Sequence, residues 1–264
     1  MDDETSGIST DKLCDTEVVV SLTTYGQRIF EVALAIESIM QGTVKPNHIV
    51  LWLSDDMKDM QLPLPLQKQI KRGLEIYYCK DLRSYKKLIP TLKMYPKATI
   101  ITIDDDAFYF FDLVEKMVYW HSQYPRDIIA NRIHKVKFKN NKIQPYEEWN
   151  ESPKFNQASK LNFFTGVGGV LYPPHCLDDE VFNESVFTDI CMYADDIWFY
   201  AMALKKGTIC RKGLTHNQMG IDYVPNEDIK SLGLFNVNVG GEGLNDRQFK
   251  AVMDKYDLWK ELKE

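Results

Sequence analysis

Apolar residues in the first half of the chain fall into two alternating rhythms. Residues 17–22, Glu-Val-Val-Val-Ser-Leu, form a short β-branched run suited to a strand buried on both faces. From Arg28, the apolar positions Ile29, Val32, Ala33, Ile36, Ile39 and Met40 recur at helical spacing, and Gly42 closes the pattern. The alternation repeats with strands at 48–53, 75–79 and 98–103 and helices at 67–74, 85–94 and 112–123. Strands alternating with helices predict βαβ units joined by right-handed crossovers. The fold class is α/β, with a Rossmann-type mixed, mostly parallel sheet flanked by helices.

The second half is less regular. Residues 134–143 alternate and turn at Asn140-Asn141, which predicts a hairpin with a basic face. That face is either merely solvated or in contact with an anionic acceptor or lipid surface. Residues 150–160 are polar and read as a loop, Gly166 to Pro174 is glycine-rich, and a helix opens at Asp195-Asp196 and ends at Gly207. Residues 1–16 are polar and read as a disordered tail, leaving 17–264 as a single domain. No repeat or low-complexity segment interrupts it.

Charge and cysteine usage narrow the function classes. In 264 residues, 32 basic and 38 acidic side chains give a net charge of −6, which gains little on a polyanion and argues against nucleic acid as partner. The five cysteines are odd in number and lack C-x-x-C spacing, so they read as buried small hydrophobes. The acidic N-terminus lacks an apolar signal region and no stretch approaches 18 apolar residues. Neither a secretion signal nor a transmembrane segment is expected, and the chain reads as cytoplasmic, or peripheral at the inner membrane face.

Three places can carry chemistry. Asp104-Asp105-Asp106 follows the strand at 98–103, and strand carboxyl ends line the ligand crevice of an open α/β sheet. Alternation along an extended backbone puts Asp104 and Asp106 on one side and Asp105 on the other. Oxygen-only ligands select Mg²⁺ or Mn²⁺, whereas the bland reading is a solvated acidic turn. Asp195-Asp196 is the second place: paired acids at a helix start explain themselves as a cap, yet helical geometry lets one cap while the other faces a cleft as a base. The third, Gly166-x-Gly168-Gly169, meets neither the dinucleotide nor the P-loop fingerprint. It either admits a ligand close to the backbone or permits a bulge.

Taken together these residues resemble the nucleotide-sugar-dependent glycosyltransferases of the GT-A fold. The likeness is nearest to bacterial polysaccharide glycosyltransferases and more distant to exostosin-like enzymes. It rests on the N-terminal βαβ half, the D-x-D sequence Asp104 to Asp106, the glycine-containing segment 164–172 and the acidic pair opening a helix, and it runs from about Val18 to Lys206. The resemblance implies a nucleotide-binding half over 17–125 and an acceptor half over 126–264. It implies donor contacts from Thr23, Tyr25, Arg28, Asp55, Lys87, Asp104 and Asp105. It also implies metal ligands Asp104, Asp106 and His216, and a catalytic pair in which Asp196 is the base beside Asp195. The cofactor would be Mn²⁺ or Mg²⁺ and the donor a nucleoside diphosphate sugar, UDP-linked. The acceptor would be a hydroxyl of a surface glycan or polysaccharide, free or lipid-linked. Lys86 and Lys87 would meet the diphosphate, or else lie on a solvated helix surface, and His216 is otherwise a plain loop residue. The Q-x-x-R-W motif of processive relatives is absent. A metal-dependent nucleotidyltransferase, a D-x-D phosphatase and a non-catalytic glycan-binding module are the competing readings.

Overall fold

The computed structural model describes residues 5–149, 156–214, 220–226 and 243–262. In the first half of the chain run β1 (Val18–Thr23), α1 (Val32–Met40), β2 (His48–Ser54), α2 (Leu64–Ile70), β3 (Leu74–Cys79), α3 (Ile89–Met94), β4 (Thr99–Thr102), β5 (Ala107–Tyr109) and α4 (Leu113–Gln123). Then come β6 (Ile128–Ala130), β7 (Ile133–Lys135), β8 (Phe138–Lys139), β9 (Lys142–Ile143), β10 (Asn162–Phe164), β11 (Val170–Tyr172), α5 (Glu184–Ile190), α6 (Asp195–Lys206), β12 (Cys210–Lys212) and β13 (Tyr223–Pro225). A final helix, α7, spans Leu244–Lys255.

Seven strands form the central sheet in the order β12-β6-β11-β4-β1-β2-β3. Strands β3, β2, β1 and β4 are mutually parallel, β12 is parallel to β6, and β11 runs antiparallel between β4 and β6. The pleat of β1 divides the core: Val18, Val20 and Leu22 join one apolar cluster, with α1, α2 and α4, while Val19 faces the other, with α3, α6 and α7. Ser21 shares the Val19 face, and its hydroxyl meets Thr91 Oγ1 at 2.7 Å, so this buried polar group is satisfied.

The predicted rhythm holds, with local differences that have physical causes. The single helix expected over 85–94 divides into a 3₁₀ turn at Arg83–Lys87 and α3, because Pro90 cannot donate a hydrogen bond within a continuous helix. Likewise a 3₁₀ turn at Gly26–Phe30 precedes α1. The hairpin expected over 134–143 is shorter: β7 pairs instead with β10, and only β8 and β9 close on each other, around Asn140 and Asn141 at φ 51° and 58°. Two left-handed Asn residues are what a tight two-residue hairpin requires. Residues 5–16, expected to form a loose tail, lie against the body: Gly7 N–H donates to Arg72 O at 2.8 Å and Ser9 N–H to Pro46 O at 2.9 Å. Cys176, Cys191 and Cys210 are buried as expected, but Cys14 and Cys79 are only half-buried. Among the described residues no helix is long and apolar enough to cross a membrane.

Strand directions set the position of the functional edge. The carboxyl ends of β1 and β4 emerge side by side where the strand order reverses, the crevice position in open α/β sheets. Antiparallel β11 brings its beginning to the same edge, with Val170 opposite Thr102 of β4 and Ala130 of β6. The loop after β1, the three aspartates after β4, Arg132 after β6 and the glycines before β11 therefore meet at one place.

Candidate active site

A cleft of about 1140 Å³ opens at that edge. Its lining includes Thr23, Tyr25, Arg28, Lys87 and all three of Asp104, Asp105 and Asp106, together with Asp195 and Asp196. Asp55 is the exception among the expected contacts. A 3₁₀ turn at Asp55–Met57 follows β2 directly and turns that carboxylate outward to Lys58 Nζ at 2.8 Å, away from the cleft. His216 lies outside the described residues.

The three aspartates do not divide as strand alternation predicts. The strand ends at Thr102, and Asp105 and Asp106 already sit in a turn, so the pleat no longer governs them. Arg28 takes both: its Nη2 bonds Asp105 and lies 2.9 Å from Asp106 Oδ2. Asp104 goes to Lys87, with Nζ to Oδ1 at 2.8 Å. Its backbone N–H donates to the Tyr109 hydroxyl at 2.8 Å, which in turn donates to Val167 O at 3.0 Å and ties the turn to the glycine segment. Burial pushes the Asp105 carboxyl up to about 7 against the pull of Arg28, and burial together with Asp104 raises Asp106.

Neither member of the second acidic pair caps α6 through its side chain. Asp195 Oδ1 accepts from Ser84 Oγ at 2.8 Å and its Oδ2 lies 3.0 Å from Lys87 Nζ. Asp196 accepts the Gly166 N–H on both oxygens at 3.1 Å. Burial, then the neighbouring Asp195, lift the Asp196 carboxyl to about 7. Lys87 touches both acidic clusters. Burial pulls its pKa down, but Asp104, Asp195 and Asp196 outweigh that and hold the ammonium well above its ordinary range. Lys86 and Lys87 are thus not solvated helix surface: they are 1% and 4% exposed, with Lys86 paired to Asp81 and set 5.7 Å above the Tyr25 ring.

Gly166 and Gly168 have a packing reason, and Gly169 stands at φ 87°. A Cβ on Gly166 would overlap Lys87 Nζ and come within 3.2 Å of Asp196 Oδ1 and 3.3 Å of Asp104 Oδ1. One on Gly168 would meet the Arg132 backbone nitrogen at 2.9 Å. Sequence reasoning had no signal for Ser84, Tyr109 or Arg132, whose roles come from distant pairings. Arg132 lines the cleft and donates to Thr165 Oγ1 at 3.1 Å, and His134 stacks on Tyr146 with centroids 5.6 Å apart. Seven Asp and Glu line the cleft against five Lys and Arg. Among the described residues no three His, Cys, Asp or Glu side chains form a ready-made metal nest.

No family model matches this chain, and no curated protein does. Solved structures share its fold. Residues 1–349 of S. aureus TarS in complex with UDP superpose with a TM-score of 0.50 at 14% identity, over 90% of this chain and 70% of that one. The same protein in complex with UDP-GlcNAc gives 0.50 at 13% identity, over 92% and 66%. The fold is GT-A-like, a seven-stranded, mostly parallel sheet with helices on both faces.

Proposed function

We propose that this chain is a glycosyltransferase that moves a sugar from a nucleoside diphosphate sugar, UDP-linked, to an acceptor hydroxyl of a glycan. The observation that carries the reading is the meeting of two acidic clusters in one cleft, Asp104 to Asp106 and Asp195-Asp196, joined through Lys87 at the switch point of the sheet. A glycan-binding module has no need of two such clusters. The UDP and UDP-GlcNAc complexes of the TarS fragment support the same class of donor.

In this reading the loop from Thr23 to Arg28 receives the nucleotide, and Tyr25, 55% exposed at the mouth, offers a ring to the base. Arg28 and Lys87 lie where a diphosphate meets the carboxylates. The carboxylate oxygens of the lining, with Asp104 close enough to Asp106 to raise its carboxyl, fit a Mg²⁺ or Mn²⁺ that Asp104 and Asp106 would hold together with the diphosphate. Bound there, such an ion would neutralise charge on the departing diphosphate. In this reading Asp196 is the general base. Its two oxygens are oriented by the Gly166 amide, and a pKa lifted to about 7 suits a group that must accept a proton near neutrality. Asp195, clamped by Ser84 and Lys87, orients its neighbour and does not itself take the proton.

The test combines binding with product analysis. Calorimetry should show UDP binding that depends on Mn²⁺, weakened far more by Asp104→Asn or Asp106→Asn than by Asp112→Asn at the start of α4. Incubation with UDP-sugars and glycan acceptors should release UDP. Release of pyrophosphate would mean nucleotidyl transfer, and equal UDP affinity in EDTA and in Mn²⁺ would remove the cation from the scheme.

A further inference from the structure

Lys87 has an unusual position for a residue expected merely to greet a phosphate. It is 4% exposed, and its ammonium lies 2.8 Å from Asp104 Oδ1 and 3.0 Å from Asp195 Oδ2, so one cation joins the two acidic clusters. It also fills the space that a side chain on Gly166 would need. Two other cations of the cleft are committed elsewhere: Lys86 pairs with Asp81, and Arg28 holds Asp105 and Asp106. The free protein therefore already has a positive charge at Asp104, where the proposed donor reading needs a divalent ion.

Two cations cannot share that carboxylate without repulsion. A divalent ion approaching the free protein meets the Lys87 ammonium, and a diphosphate approaching alone meets a wall with more acids than bases. When both arrive, the diphosphate offers Lys87 new oxygens within the sweep of its four-carbon stem, and Asp104 is released to the ion. Resting on the donor reading above, we propose that Lys87 is an internal stand-in for the divalent ion: it holds Asp104 and Asp195 in the free protein and yields Asp104 only when a diphosphate arrives, so that ion and donor bind as a coupled pair. Lys87 is thereby a positioning residue for both acidic clusters.

Calorimetric titrations of Mn²⁺ alone, UDP alone and each in the presence of the other measure this coupling, which linkage requires to be equal from either side. In Lys87→Met, Mn²⁺ alone should bind about tenfold tighter, UDP alone should bind more weakly, and the coupling factor should fall by about tenfold, inside the range of 5- to 150-fold typical of coupled sites. A plain structural brace predicts the reverse sign for the ion: losing it would loosen Asp104 and weaken Mn²⁺ and UDP together with the coupling intact, and that result overturns the inference. Lys87→Gln, which keeps a hydrogen-bond donor for Asp104 but no charge, carries the same expectations if the methionine variant does not melt cooperatively. A wild-type protein that binds no UDP even with Mn²⁺ overturns the donor reading and this inference with it. Strong wild-type coupling left unchanged in both variants overturns the inference alone.

Discussion

Gly166 is the residue on which both halves of the site close, since its amide feeds Asp196 while its missing side chain makes room for Lys87 and Asp104. An alanine there would push the Lys87 ammonium from the place where it holds Asp104 and Asp195 and would crowd the Asp196 and Asp104 carboxylates. Gly166→Ala should therefore lower turnover by roughly ten- to hundredfold and cost about 1–3 kcal/mol, the usual range for overpacking a filled site. Steady-state kinetics and thermal melting check this together, and a variant with normal turnover would mean that the segment moves freely. Asp196→Asn keeps the shape, and an Asn side-chain oxygen still accepts the Gly166 amide, but the basicity is gone. Turnover should fall by about two to four orders of magnitude with UDP affinity and melting temperature little changed. In the wild type, kcat should fall as pH drops through about 7, where Asp196 gains its proton, and that limb should vanish from the residual activity of the variant.

At the level of elements, the loop from β1 to the turn at Gly26–Phe30 is assigned to the donor by the proposed function. It opens the cleft beside the carboxyl end of β4, and its Arg28 bonds Asp105 and Asp106. Arg28→Ala should raise the donor KM severalfold and leave the acceptor KM nearly unchanged, as initial-rate kinetics with each substrate varied will show. The opposite pattern would move the loop to the acceptor side. That loop, the aspartates and the acidic pair were legible in the sequence because each stands where a strong periodic segment ends. Asp55 misled because a carboxylate after a strand serves the cleft only if the next turn sends it there, and the 3₁₀ turn sends it to Lys58. Three-residue strands were out of reach for a related reason. β5 finds its partner in β13, far along the chain, and β7 finds β10, so no local alternation announces either. The supports of the two acidic clusters, Ser84 for Asp195 and the Tyr109 hydroxyl for the Asp104 backbone, depend on contacts between distant segments and left no local mark.

For the molecule as a whole, gathering carboxylates in one partly buried cleft makes stability depend on pH. Asp105 is raised to about 7, chiefly by burial, far above an unfolded carboxyl near 3.9. A group raised in this way contributes stability that is complete below its unfolded pKa and lost as pH rises through its folded pKa. Two other groups act oppositely in the same range. His134 is lowered to about 4 by burial and Arg132, and Cys14, despite burial, is lowered to about 7 by its hydrogen bonding with His121 and Thr16, so both favour the folded state as pH rises. The absolute pH profile thus mixes signs, and the informative quantity is a difference between proteins. Asp105→Asn removes one titrating group and leaves His134 and Cys14 in place. Between pH 6.5 and 8 the wild type should lose about 0.8 kcal/mol relative to the variant, from a single site with folded pKa near 7. In a chain of this size that corresponds to about 2–3 °C in Tm. Thermal melts of both proteins across that range, without nucleotide or divalent ion, measure it. Parallel Tm profiles would show that Asp105 keeps its charge throughout, with Arg28 outweighing its burial.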